Sequence, residues 1–144
     1  MGGPRVARVA VDVPLAHLDR LFDYEVPASV AEDVVVGARV KVPFAGTTRD
    51  GWIIELTDAS DVAKLARLGK LVSAEPIAVP ATYGLIRAVA DHYAGCWTDV
   101  ARLAIPPRHA TTEKAPQREW PAPHELDAPT VLPQYPHGTG LLEA

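Results

Sequence analysis

Arg5-Val6-Ala7-Arg8-Val9-Ala10-Val11-Asp12-Val13 and, after a short break, Leu21-Phe22-Asp23-Tyr24-Glu25-Val26 decide how this chain folds. In the first stretch Val9, Val11 and Val13 alternate with Ala10 and Asp12. A period of two sends successive side chains to opposite faces of a strand, and branched side chains suit its pleated surface. Pro14 ends that run. In the second stretch Phe22, Tyr24 and Val26 share one face and Asp23 takes the other, until Pro27 stops the strand.

Outward from these two strands the pattern continues. Gly37 opens a third, in which Val40 and Val42 alternate with Arg39, Lys41 and Pro43. Residues 45–51, A-G-T-T-R-D-G, read as a turn-rich break. Trp52-Ile53-Ile54-Glu55-Leu56-Thr57 is a fourth strand, and the pair around the break forms a hairpin. Leu68 to Ala74 is a weaker fifth strand, and Asp61 to Arg67 is either a short helical turn or a loop. The period then changes. Pro80 opens a helix whose apolar residues Leu85, Ile86, Val89, Ala90 and Tyr93 recur three and four apart, with Gly95 as C-cap. Thr98 is the expected N-cap of a second helix to Ala104, closed by Pro106-Pro107. The predicted fold class is α+β. It is a small, twisted, mainly antiparallel, barrel-like sheet with one or two C-terminal helices, followed by a Pro-rich tail.

Composition divides the 144 residues in two. Eight of the 14 prolines fall in residues 106–144, where branched aliphatic residues are few. Such a stretch buries too little apolar surface to offset its ordering entropy. The expected organisation is a folded module over 1–107 and a linker over 108–144 leading to a missing downstream domain. The closing Leu141-Leu142-Glu143-Ala144 reads as the first turn of a further helix. The net charge of −4 divides as well, leaving −2 on residues 1–105. A near-neutral module excludes a basic sheath tracking many phosphates, but leaves room for a local basic patch. No apolar run approaches the roughly 20 residues of a membrane span. The start of the chain lacks the apolar core of a secretory signal. With the lone Cys96, this suggests a cytoplasmic protein that does not act on membranes.

Catalytic patterns are missing. Gly69-Lys70 lacks the glycine spacing and the hydroxyl of a phosphate-binding loop, and no G-x-G-x-x-G occurs. Cys96 and His92 alone do not make a zinc site. Ser29, Ser60 and Ser73 have no nucleophile-elbow context. The chain is therefore expected not to be an enzyme, and no catalytic or metal-binding residue is nominated. Three features remain. Phe22-Asp23-Tyr24 is either a core strand with a solvated carboxylate or a shallow pocket whose carboxylate accepts hydrogen bonds from a nucleobase edge. Arg39, Lys41, Arg49, Lys64, Arg67 and Lys70 are either a solvated surface or a set of phosphate contacts. Trp52 and Trp97 read as core.

The runs V-A-V-D-V-P-L at 9–15, L-D-R-L-F-D-Y-E-V-P at 18–27 and G-A-R-V-K-V-P-F at 37–44 resemble the N-terminus of the primosomal protein N′ (PriA) family of bacterial replication-restart helicases. The likeness continues through Asp50-Gly51-Trp52-Ile53-Ile54, Glu75-Pro76, Ala90-Asp91-His92-Tyr93 and Asp99-Val100, covering about residues 5–107. It implies a 3′ DNA-binding domain that recognises the 3′-hydroxyl end of the nascent leading strand at stalled or abandoned forks, in primosome assembly and DNA repair. Its pocket aspartate would be Asp23, flanked by Phe22 and Tyr24. Two positions depart from the family. Ala45 stands where a glycine is usual, with Gly46 after it, and Ala66 falls near the place of a pocket lysine. Lys64, Arg67 and Lys70 neighbour that place, of which Arg67, adjacent to it, is the expected substitute, and Arg39, Lys41 and Arg49 are the expected phosphate contacts.

The resemblance further implies DNA, downstream helicase domains and other primosome proteins as partners, in a bacterial cytoplasm close to the nucleoid. ATP and zinc would belong to the missing domains only, with no cofactor in this chain. The alternative is a small β-barrel protein-interaction module without direct DNA binding. Cations from Arg39, Lys41 or Arg49 around the Asp23 face would separate the two.

Overall fold

The computed structural model describes residues 5–113 together with 115 and 116. The chain divides into two compact units, 1–108 and 109–144. The second unit contributes one short helix, α3 (Ala110–Glu113), among its described residues. The linker expected over 108–144 and the terminal helical turn lie almost wholly outside the described residues.

The first unit is one six-stranded sheet with two helices. Its strands are β1 (Val6–Val11), β2 (Leu21–Glu25), β3 (Arg39–Phe44), β4 (Thr47–Thr57), β5 (Ala66–Arg67) and β6 (Lys70–Ser73). They are ordered β5-β2-β1-β4-β3-β6. All neighbours are antiparallel except β2 and β5, which run parallel. The sheet is therefore mixed, as well as mainly antiparallel.

The order of the strands shows how far the sheet curls. β5 lies on one edge and β6 on the other, yet only Leu68 and Gly69 separate them in sequence. So short a link spans at most about 11 Å, so the two edges must come close together. Gly69 makes this possible, because a Cβ there would lie 2.6 Å from the Lys41 carbonyl oxygen of β3. Leu68 turns into the enclosed core, and its N–H donates to the Glu25 carbonyl. The fifth strand expected over 68–74 is β6, shortened to Lys70–Ser73. Residues 66–67, expected within a helical turn or loop, are β5. Backbone pairing to β2 outweighs the local helical preference of D-V-A-K-L-A-R.

Each face of the sheet has its own core. Ala7, Val9, Val11, Tyr24, Val26, Val40, Val42 and Ile53 fill the inside of the curl. Ala10, Trp52 and Ile54 meet Tyr83, Ile86, Trp97 and Ala101 of the helices outside. The central strands β1 and β4 are consequently apolar on both faces where the helices cover them, which is why W-I-I at 52–54 does not alternate.

The helices are α1 (Pro80–His92) and α2 (Trp97–Ala104). Pro80 begins α1 as expected. The helix ends in a Schellman motif, in which Gly95 N–H reaches the Ala90 carbonyl (2.8 Å) and Ala94 N–H reaches Asp91 (3.4 Å). The left-handed position belongs to Ala94 (φ 53°) and not to Gly95. Thr98 is not the cap of α2 either. The helix starts one residue earlier, and Thr98 is buried with its hydroxyl donating to the Val13 carbonyl. The free N–H of Trp97 is capped from a distance by the Asp19 carboxylate at 3.1 Å.

Candidate nucleic-acid interface

β2 positions the candidate site. Its alternation sends Phe22 and Tyr24 inward and Asp23 outward. Tyr24 is buried, and its hydroxyl donates to the Pro43 carbonyl at 3.1 Å, which ties β2 to the end of β3. Burial pushes the Tyr24 phenol up to about 12, so it remains a neutral donor at any physiological pH. Phe22 meets Phe44 edge-to-face, with ring centres 4.9 Å apart. These two contacts hold the β3–β4 turn beside β2.

That turn is tight. Phe44 pairs with Thr47, leaving Ala45 and Gly46 as a two-residue connection with φ of 47° and 75°. Two consecutive positive φ values define a type I′ hairpin turn. Ala45 adopts the left-handed backbone normally given to glycine. β4 begins immediately afterwards at Thr47, so most of the break expected over 45–51 is strand.

Between β2, this turn and the segment before β5 lies a cleft of about 620 Å³. Phe22, Asp23, Tyr24 and Ala45 all line it, with Arg8, Arg20 and Lys64 as its cations and Asp61 as its second carboxylate. Asp23 is mostly buried. Its Oδ2 accepts from the Ser60 hydroxyl at 2.5 Å, and its Oδ1 lies 3.6 Å from Arg8 Nε. The β1–β2 register sets Arg8 opposite Asp23, and the same guanidinium reaches Glu55 at 3.1 Å. The carboxylate is thus held in place with lone pairs to spare, since an ionised carboxylate offers about four acceptor sites. Arg20 and Lys64 form no ion pair among the described residues. Arg20 instead lays its guanidinium carbon 4.7 Å above the Phe22 ring.

The cations expected at this place are elsewhere. Arg67 does not line the cleft and pairs with Glu25 at 3.4 Å. Arg39 donates to the Pro106 carbonyl at 2.9 Å, and Lys41 pairs with Asp50 at 3.0 Å. Arg49 is exposed on β4 and, like Gly46, does not line the cleft. Lys41 and Asp50 face each other across β3 and β4, so the register joins that pair away from the site. Sequence reasoning missed Arg8 and Arg20 as cleft residues and Ser60 as the donor to Asp23. Arg20 had a signal: a cation two positions before an aromatic residue, just ahead of the strand. Arg8 and Ser60 had none, because only the folded chain sets them against Asp23.

A curled sheet with a carboxylate and a cation-rimmed cleft at β2, next to its edge strand β5, defines a binding module. Residues 8–106 match the 3′DNA-binding domain (3′BD) family, and the chain belongs to that family. It is similar to probable replication restart protein PriA of Mycobacterium tuberculosis, 42% identical over 133 residues, 89% of this chain and 20% of the relative. The corresponding Mycobacterium leprae protein is 43% identical over 99 residues, covering 68% of this chain and 15% of that protein. Replication restart protein PriA of Bacillus subtilis is 37% identical over 57 residues, 40% of this chain and 7% of that protein. The chain spans about a fifth of the length of the mycobacterial relative.

Proposed function

We propose that this module binds the 3′-hydroxyl end of a DNA strand, with Asp23 accepting hydrogen bonds from the terminal base. The observation that supports it best is the placement of Asp23, a mostly buried carboxylate in a cleft where the cations Arg20 and Lys64 form no ion pair among the described residues. A carboxylate accepts from exocyclic amines and ring N–H groups of different bases, so it reads an end without demanding one sequence. It also repels a 3′-phosphate, and a continuing strand meets the walls of the cleft, so selection works by exclusion. Phe22 and Phe44 supply the apolar side of the cleft, and Tyr24 holds the turn that closes it.

In this reading the module serves replication restart at stalled or abandoned forks, as part of a larger cytoplasmic protein whose helicase domains lie outside this chain. Other primosome proteins would be its further partners. The role assigned to these residues is binding, not catalysis. The test is a titration of the chain with a partial duplex ending in 3′-OH and with the same duplex ending in 3′-phosphate. The reading expects the hydroxyl end to bind at least about tenfold more tightly, roughly 1.4 kcal/mol. Equal affinities contradict it.

A further inference from the structure

Arg20 is the one cation that lines both the Asp23 cleft and a neighbouring apolar cleft of about 350 Å³ between the sheet and the helices. It forms no ion pair among the described residues, although Asp61 lines the same cleft. Asp19, adjacent in sequence, is taken by Arg87 at 2.8 Å and by Trp97 N–H at 3.1 Å. Asp23 is taken by Ser60 and approached by Arg8. Arg20 is held instead by a cation–π contact, 4.7 Å over Phe22, whose ring is fixed in turn by Phe44. A guanidinium held over an aromatic ring is restrained before any ligand arrives, with N–H groups left to donate.

We propose that Arg20 grips the phosphodiester that joins the terminal nucleotide to the rest of the strand. The inference rests on the end-binding reading above. A 3′-terminal nucleotide with a free hydroxyl carries a single phosphate, on its 5′ side. With the base at Asp23, that phosphate must leave the cleft past its rim, and Arg20 stands where the cleft meets its neighbour. The planar fork matches two phosphate oxygens, which a lysine cannot do. The cation–π contact with Phe22 makes this grip preorganised, whereas Lys64 offers only a mobile point charge.

The test combines one protein change with one DNA change. Arg20→Ala should lower affinity for the 3′-OH partial duplex about tenfold at low salt and reduce the salt slope by about one unit. Replacing only the last phosphodiester with an uncharged methylphosphonate should weaken the unaltered protein to the same extent. The two changes together should cost no more than either alone. Arg20→Lys should keep the salt slope and recover only part of the affinity. Thermal unfolding of Arg20→Ala should match the unaltered chain, since the side chain is exposed. Penalties that simply add, or an unchanged salt slope in Arg20→Ala, overturn the assignment. The end preference reports separately: a slope that falls in a protein indifferent to 3′-phosphate keeps Arg20 and removes the end-binding reading.

Discussion

The two sides of β2 and its approach use charge in opposite ways. On the helix-covered side the cations Arg87 and Arg102 have internal partners: Arg87 binds Asp19 and Asp91, and Arg102 binds Asp12 at 2.7 Å and Asp99 at 3.6 Å. The pairs with Asp19 and Asp12 fasten α1 and α2 to the chain that leaves β1 and enters β2. The Asp19 hydrogen bond holds the Arg87 guanidinium above its ordinary range, against the opposing effect of burial. In the cleft, Arg20 and Lys64 have no such partner among the described residues, and Asp23 is held but not saturated. The contrast separates groups that stabilise the fold from groups left for a ligand.

The largest expected effect falls on the fastened side. Asp19→Ala removes the cap on Trp97 N–H and leaves Arg87 with one partner, so it should cost about 2 kcal/mol in urea unfolding. Its end preference should persist wherever the protein remains folded. Asp23→Ala should do the reverse, weakening 3′-OH binding about tenfold, roughly 1.4 kcal/mol, with a smaller loss of stability. If Asp19→Ala erased end preference while Asp23→Ala only destabilised the fold, the contrast would be lost.

Smaller changes sharpen it. Ala94→Gly and Ala45→Gly each relieve a left-handed alanine and should stabilise the chain by about 1 kcal/mol, read as a higher denaturant midpoint. Lys64→Ala should lower the salt slope of binding by about one unit and leave stability within about 0.5 kcal/mol. Alkaline pH gives the smallest readout. The Tyr24 phenol is raised from 10 to about 12 in the folded chain, so its stabilisation is complete below pH 10 and is lost as pH rises through 12. Tyr83, buried against the Ile53 carbonyl, is raised in the same direction. Tyr24→Phe should flatten the fall in stability between pH 10 and 12, measured by unfolding at a series of pH values.

Much of the fold was legible because its signals are local. The alternation of Val9, Val11, Phe22, Tyr24, Val40 and Val42, the proline that opens α1 and the spacing along it all carry their own period. The closure of the sheet was not legible. The stretch 66–73 has no period to show that β5 and β6 pair at opposite edges, and Gly69 shows its purpose only against Lys41. The site divides in the same way. Phe22, Asp23, Tyr24 and Ala45 came from a motif contiguous on β2 or fixed by the hairpin. The cations came out differently, because strand register decides which are spent: Lys41 on Asp50, Arg67 on Glu25, and Arg8 beside Asp23.

The most direct measurement is the ratio of affinities for 3′-OH and 3′-phosphate ends in the unaltered chain, Asp23→Ala and Arg20→Ala, at one salt concentration. The account expects a ratio of about ten or more in the unaltered chain and in Arg20→Ala, and a ratio near one in Asp23→Ala. A ratio that survives the loss of Asp23 would contradict the claim that this carboxylate reads the end of the strand.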